Sequence, residues 1–320
     1  MKNNSFNQIG NELMKAESVL IYPHVNMDGD ALGSAAAMCR ALRKLGKECW
    51  ILIEDNIPRN LQFMDRGYCT DNKDIIAEPD ISLCLDCGDI GRFLMRKDKF
   101  MEGKTSISID HHSTTEPFCD FNYIDPKAAA TGELVYLLLK EMGVEGDKEM
   151  GEAIFAAITT DTGNYQYSNT TRQSHLITAE LYDWGVDMSS ASVEIYDNVR
   201  MEKILIKSKS MNTLELLCDG QVAMSYVDQK MLAETGASMD ETEGIVEQLR
   251  SIEGVEIAIF AKEFDENTVK LSMRAKSWGN VAEIAQRLGG GGHIKAAGAT
   301  VKLPLEEALA VIREEVKKSF

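Results

Sequence analysis

The sequence predicts an α/β protein. Its N-terminal domain carries a mainly parallel sheet flanked by helices, followed by a connector helix and a smaller α/β C-terminal domain. Three observations carry this. Short apolar runs alternate with longer helical patterns through residue 110, the mark of βαβ units. Three of those runs end in an acid or an acid–His cluster. Charge also changes along the chain: residues 1–199 hold 18 Lys+Arg against 32 Asp+Glu, and residues 200–320 hold 16 against 19. A chain of 320 residues is long for one domain and comfortable for two. The expected domains are 1–190 and 213–320, joined by a helical connector over 191–212.

Residues 3–16 read as an amphipathic helix with Phe6, Ile9 and Leu13 on its apolar side. Ser18–Tyr22 is β-branched and aliphatic, a buried parallel strand, and the small apolar run 31–42 is a helix packed closely on the sheet. Glu48–Ile53 is a second strand, and 58–64 a short helix with Pro58 at its start. Asp80–Asp86 and Lys104–Asp110 are the third and fourth strands. Helices are expected over 128–142, 148–160, 171–184 and 188–198, and a long Lys-rich helix over 200–217. The second domain should hold strands over 221–227, 255–262, 268–274 and 297–303, with an acidic hairpin at 265–267. Its helices fall at 242–250, 280–288 and 305–318.

Composition excludes several classes of function. A net charge of −17 argues against a long basic track for duplex nucleic acid. No run is long enough to span a membrane, and the start Met1-Lys-Asn-Asn-Ser-Phe lacks an apolar signal region. Seven scattered cysteines fit reduced thiols, so a cytoplasmic protein is expected. Cys84 and Cys87 have CxxC spacing without a second pair, and read as small core residues.

The chemistry gathers at the strand ends. His24-Val-Asn-Met-Asp28-Gly-Asp30 follows the first strand, Asp86 ends the third, Asp110-His111-His112 ends the fourth, and Asp161 follows an apolar helix. In a parallel sheet these ends share one edge, where open α/β sheets bind ligands. Imidazole and carboxylate suit divalent ions such as Mn or Mg. Four Asp and two His suffice for two ions sharing a carboxylate. Such a pair, about 3.5–4 Å apart, clamps the entering and leaving oxygens of phosphoryl transfer. Asp30 has a second reading as a helix N-cap. Asp89 reads as an N-cap. Arg92 has two readings, phosphate neutralisation or helix capping. Tyr165 and Tyr167 read as core packing, with base stacking as the alternative, and His175 has no assigned role.

In the second domain Gly289-Gly-Gly-Gly292-His293 lets backbone approach an anion without a Cβ in the way. Arg274, Lys276, Arg287 and Lys295 surround this run, with Glu283 the only acid between 274 and 295. The alternative is a plain helix-to-strand turn with solvated lysines.

Taken together, His24-x-x-x-Asp28-x-Asp30, Asp86, Asp110-His111-His112, Asp161, and Gly289–His293 with Ala296-Ala-Gly298 resemble the DHH phosphoesterase superfamily, the last block resembling its DHH-associated domain. The resemblance covers essentially the whole chain. Size and two-domain plan are most similar to the bacterial branch of bifunctional oligoribonucleases and pAp phosphatases. The exonuclease branch generally has additional domains, and the pyrophosphatase branch lacks the glycine block. The resemblance implies two Mn2+, with Mg2+ or Co2+ as alternatives. His24, Asp28 and Asp86 would hold one, and Asp30, Asp86, His111 and Asp161 the other. His112, Asp86 and Asp110 would be catalytic, with Asp110 orienting a histidine. Arg274, the residues Gly289, Gly290, Gly291 and Gly292, His293 and Arg92 would bind substrate, held between domains. Expected partners are short RNA oligonucleotides and small nucleotides (pAp, pApA), not long duplexes or membranes; a homodimer is left open. Hydrolysis of short RNA to 5′-mononucleotides and of pAp to AMP is the leading expectation. The rivals are a phosphodiesterase of cyclic di-AMP or pApA, an inactive nucleotide-sensing scaffold, and a metal-storing or scaffolding protein.

Overall fold

The computed structural model describes residues 3–320, so Met1 and Lys2, the start of the first expected domain, lie outside the described residues. The chain divides into two units, one ending at Asn198 and the other spanning Val199–Phe320.

The first unit is built on β1 (Ser18–Tyr22), β2 (Glu48–Leu52), β3 (Cys69–Thr70), β4 (Ile81–Leu85), β5 (Thr105–Asp110) and β6 (Phe121–Ile124). They lie in the order β3-β2-β1-β4-β5-β6, and all neighbours are parallel. The order reverses between β1 and β4, which opens a crevice at their carboxyl ends. Its helices are α1 (Phe6–Lys15), α2 (Gly29–Lys44), α3 (Lys97–Phe100), α4 (Thr131–Glu141), α5 (Lys148–Asp161), α6 (Arg172–Leu181) and α7 (Met188–Ser192).

The continuous apolar run of β1 follows from its burial on both faces. Val19 and Ile21 face the core formed with α1, α2, α4 and α5. Leu20 and Tyr22 face a smaller core containing Phe93 and Phe100, from the 3-10 turn Ile90–Arg96 and α3. Burying one such aliphatic side chain stabilises by roughly 1.5–3 kcal/mol. Helix α1 starts at Ser5, whose side chain forms a capping box with Gln8, and it buries Ile9 and Leu13.

Helices α2 and α5 meet through small residues. A Cβ on Gly33 would collide with the carbonyl oxygen of Ala153, and one on Gly29 would collide with Thr160. This close approach carries Asp161, the last residue of α5, to the start of α2. Asp161 thus lies within the helix rather than after it.

The second unit contains α8 (Met201–Met211), β7 (Glu215–Leu217), β8 (Val222–Val227), α9 (Gln229–Thr235), α10 (Ile245–Ser251), β9 (Ile257–Asp265), β10 (Thr268–Ala275), α11 (Val281–Arg287), β11 (Gly291–His293), β12 (Ala296–Val301) and α12 (Leu305–Lys317). The sheet order is β11-β12-β10-β9-β8-β7, antiparallel except for β8–β9. One face packs against α11 and α12. The other packs against α8, α9 and α10 only as far as β9. On that face Lys270, Thr300, Gly291 and His293 of the adjoining strands stay exposed.

Several elements differ from expectation. The helix expected over 200–217 ends at Met211, and Glu215–Leu217 instead pairs with β8. The Thr213 hydroxyl bonds both backbone groups of Tyr226, so cross-strand pairing overrides helical pattern there. Helix α8 belongs to the second unit's core through Ile206. Strands β3, β6 and β11 and helix α9 were not expected; the two to four residues of the strands carry no readable periodicity, and β11 is largely glycine. Among the described residues no helix is long and apolar enough to cross a membrane.

Candidate functional site

The crevice at β1 and β4 collects most of the residues singled out above. His24 lies two residues past β1. Asp28 N-caps α2, its Oδ1 accepting from the N–H groups of Asp30 and Ala31. The capping role thus falls to Asp28 rather than Asp30. Asp86 follows β4 directly in the left-handed backbone region, at φ 57°, a conformation that a non-glycine residue rarely holds. Its N–H is tied to the carbonyl of Ile109 at 3.1 Å. His111 follows β5.

His24 and His111 each stand among several of these carboxylates, and Asp86 reaches both. Nε2 of His24 is 3.6 Å from Asp86 Oδ2 and 3.7 Å from Asp28 Oδ2. Nε2 of His111 is 3.7 Å from Asp86 Oδ1, from Asp30 Oδ2 and from Asp161 Oδ2. Asp86 therefore turns one oxygen to each histidine. The separations are too long for direct hydrogen bonds. They are short enough for both partners of each pair to reach one ion at about 2.1 Å.

The surrounding hydrogen bonds aim these ligands. Nδ1 of His24 donates to the Val25 carbonyl at 2.8 Å, and Nδ1 of His111 to the Ala128 carbonyl at 3.2 Å. A carbonyl only accepts, so Nδ1 carries the proton and the Nε2 lone pair faces the carboxylates. Asp30, fully buried, accepts from the backbone N–H groups of Thr131 (2.7 Å) and Gly132 (2.9 Å) at the start of α4. Thr131 also donates its hydroxyl to Asp86 Oδ1 at 2.9 Å. Nδ2 of Asn169 reaches Asp161 Oδ2 at 3.3 Å. Thr131 and Asn169 escaped sequence reasoning, because each is far along the chain and neither type is a usual metal ligand.

The electrostatics also suit cations. Burial, reinforced by the charges of Asp86, Asp161 and Asp28, lifts Asp30 well above the usual carboxylate range. Burial and the Asp28 charge raise Asp86. Burial lifts Asp161 to about 6, with His111 opposing and Asp86 reinforcing. Protein charges alone do not keep this cluster ionised, whereas divalent cations would. The donor set and the two inward-turned Nε2 atoms fit a pair of such ions.

Asp110 and His112 stand beside His111. Asp110 Oδ1 accepts from His112 Nδ1 at 2.8 Å, and its Oδ2 accepts from the Thr115 hydroxyl. The His112–Asp110 bond, stronger than the opposing cost of burial, raises the His112 imidazolium to about 9. The structure thus brings together His24, Asp28, Asp30, Asp86, Asp110, His111, His112 and Asp161. Arg92 lies on the 3-10 turn after β4, its carbonyl accepting from Val25 N–H at 3.3 Å. Arg96, buried, ties the same turn to Glu54 (2.7 Å) and to the Pro23 carbonyl beside His24 (2.9 Å). Asp89 caps that turn through the Gly91 N–H. Tyr165 bonds Thr178 and stacks on His175.

The remaining candidates lie in the second unit. Register places His293, Ala296 and Arg274 in one row, and Gly291, Gly298 and Ser272 in the next. Directly opposed residues of antiparallel strands share a face, so His293 and Arg274 flank a floor of small residues. Nε of Arg274 is 3.1 Å from Glu247 Oε1. Gly289, at φ 77°, closes α11: its N–H bonds Gln286, and that of Gly290 bonds Ala285. Those two N–H groups are engaged in the helix end, so they are not free to cradle an anion. Gly290 clears space instead, since a Cβ there would collide with the Gly298 carbonyl. Three cations expected around this run turn elsewhere. Arg287 pairs with Glu315, Lys276 bonds the Ile252 carbonyl, and Lys295 bonds Ser277. Lys262 and Lys270, which sequence reasoning missed, border the glycine face instead.

The profile of the DHH family N-terminal domain matches residues 18–159, and that of the DHHA1 domain matches residues 219–319. The chain is similar to the bifunctional oligoribonuclease and PAP phosphatase NrnA of Thermus thermophilus, 31% identical with 96% of this chain and 94% of that protein covered. It is also similar to the protein of the same name from Bacillus subtilis, at 25% identity over 89% and 90%. Among solved structures, an exopolyphosphatase-related protein of Bacteroides fragilis superposes with a TM-score of 0.90 at 25% identity, covering 98% of this chain and 95% of its own.

Proposed function

From the premise that the chain belongs to the DHH family, with a C-terminal DHHA1 domain, we propose that it is a two-metal phosphoesterase. It hydrolyses short oligoribonucleotides to 5′-mononucleotides, and pAp to AMP and phosphate. The observation that carries this is the Asp86 carboxylate, with one oxygen turned to His24 and the other to His111. The names of the relatives support the substrate class.

His24, Asp28 and Asp86 would hold one ion, and Asp30, Asp86, His111 and Asp161 the other, with Mn2+ the proposed metal. When bound, the pair supplies Lewis-acid polarisation of the phosphoryl oxygens and a water of lowered pKa. The protein orients the rest. With Nδ1 of His112 committed to Asp110, Nε2 is the atom left for substrate. At neutral pH the ring is protonated, so it donates to the phosphate and can pass a proton to the leaving sugar oxygen. Water adds to phosphorus as the bond to that oxygen breaks. Arg92 adds positive charge on the same side. Arg274 and His293, across the small-residue floor of the DHHA1 domain, bind nucleotide.

The seven free cysteines support a reducing compartment, the cytoplasm. The test is turnover of a 5′-phosphorylated trinucleotide, pAp, pApA and cyclic di-AMP after EDTA treatment and metal return. Mn2+ should restore hydrolysis of the trinucleotide and pAp better than Ca2+ does. Metal-dependent turnover of cyclic di-AMP alone would replace the substrate assignment, and no turnover of any of the four would overturn the enzyme reading.

A further inference from the structure

The open sheet face of the second unit extends beyond Arg274 and His293. Four residues back along β10, about 13 Å at the usual rise per residue, the strand register forms a third row of Thr300, Lys270 and Lys262. A cavity of about 390 Å³ lies there. Gly298, Thr300, Gly289, Gly290 and the two lysines are among the residues that line it.

The placement of the two lysines is electrostatically unfavourable. They stand directly opposite each other on adjacent strands, an arrangement that costs stability for like charges. Among the described residues neither makes an ion pair, in a chain of net charge −17. Lys270 Nζ rests 3.8 Å from the centre of the Phe264 ring. Lys262 is half-buried, and burial together with the Lys270 and Arg274 charges lowers its pKa, against the opposing charges of Glu243 and Asp240. Arg274, by contrast, is held by Glu247. Two cations without a carboxylate partner among the described residues, lining the cavity together with Thr300 and Ser272, match an anion with several oxygens.

We propose that Lys262, Lys270 and Thr300 form a second phosphate subsite, which takes a backbone phosphate of an oligoribonucleotide longer than a dinucleotide. The proposal rests on the reading that Arg274 and His293 hold another part of the same substrate. The separation of the two rows makes this subsite a length selector, since phosphates a single nucleotide unit apart, as in pAp or a dinucleotide, are closer together than the rows are.

Equilibrium binding in EDTA tests this without turnover. A labelled 5′-phosphorylated pentaribonucleotide and a diribonucleotide are titrated against the full chain and its Lys262→Gln/Lys270→Gln variant. The pentamer Kd should rise about tenfold, as for loss of charge-assisted hydrogen bonds, while the dinucleotide Kd stays within about twofold. The slope of log affinity against log salt should fall by about 0.7 for each lysine lost. Lys270→Gln alone, at an exposed position, should give part of the effect without disturbing the half-buried Lys262. An unchanged pentamer Kd, or equal losses for both ligands, overturns the subsite. If the unaltered chain hydrolyses both RNAs with Mn2+ while the variant keeps full pentamer affinity, the subsite falls and the phosphoesterase reading stands. If the variant selectively loses the pentamer and no RNA is hydrolysed, the subsite stands and that reading falls.

Discussion

Thr131 donates its hydroxyl to Asp86 Oδ1 at 2.9 Å. The same residue's backbone N–H holds Asp30 Oδ2 at 2.7 Å. One residue at the start of α4 thus fixes both Asp86 and Asp30, which the proposed function makes metal ligands. Thr131→Val keeps the shape and the N–H but removes the hydroxyl. It should weaken Mn2+ binding by about 10–100-fold, as loss of a ligand-orienting bond does. Thr131→Ser should restore most of the affinity. Competition with a chelator dye measures both.

Asp86→Ala removes the oxygens turned to His24 and to His111 at once. Under the proposed function both ions then lose a ligand, and turnover should fall by at least about 1,000-fold. Calorimetric titration should show the second Mn2+ no longer binding at micromolar levels. An Asp86→Ala enzyme with a tenth of normal activity would contradict a shared carboxylate.

His112→Asn should lower kcat by about 10²–10⁴-fold, the usual contribution of a positioned proton donor. Asp110→Asn addresses the same group through its pKa. The Asp110 hydrogen bond is the main reason His112 titrates near 9. A donor must be protonated, so activity should persist up to about that pH in the unaltered enzyme. In Asp110→Asn the alkaline limb should move to lower pH. A pH profile of kcat distinguishes this from simple loss of structure.

Metal-free stability should carry the strain of the clustered acids. Asp161 titrates at about 6, above its ordinary 3.8, because of burial first and then the Asp86 charge, with His111 opposing. Between those two values the unfolded chain is ionised there and the folded chain is not. The resulting penalty is absent below about pH 4, grows through that window and is complete above about 6. Asp161→Asn should therefore stabilise the metal-free protein at pH 7.5, by on the order of 1–3 kcal/mol, and leave it unchanged near pH 4. Thermal melts in EDTA at the two pH values give the comparison. Mn2+ should reverse the order by binding the unaltered protein more tightly.

Arg274→Gln and His293→Ala, remote from the carboxylate cluster in sequence, should raise KM with kcat little changed, as loss of uniform binding does. Equal losses of kcat and kcat/KM would instead put them in the chemistry.

The strand ends were legible because a buried parallel strand announces itself as an unbroken apolar run, and its last residue is the first free to be polar. That logic located His24, Asp86 and Asp110-His111-His112. The small residues of α2 likewise announced close packing. Other features left no trace. Thr131 and Asn169 are ordinary polar types, and only the junction of α4 with the crevice gives them a task. Lys276, Arg287 and Lys295 are close in sequence to the glycine run, yet local turns send them to Ile252, Glu315 and Ser277. Lys262 and Lys270 reach that face through strand pairing, 27 and 19 residues before Gly289.

Residue identity and local periodicity alone determined the α/β class, the parallel sheet, the donor set and the glycine-rich block, because burial and hydrogen bonding act on each short segment separately. Pairing across the chain decided the rest: which oxygen of Asp86 faces which histidine, which aspartate caps α2, and which lysines border the glycine floor. Those outcomes depend on strand register and helix approach, and both are set by packing energies summed over segments that share no sequence neighbourhood.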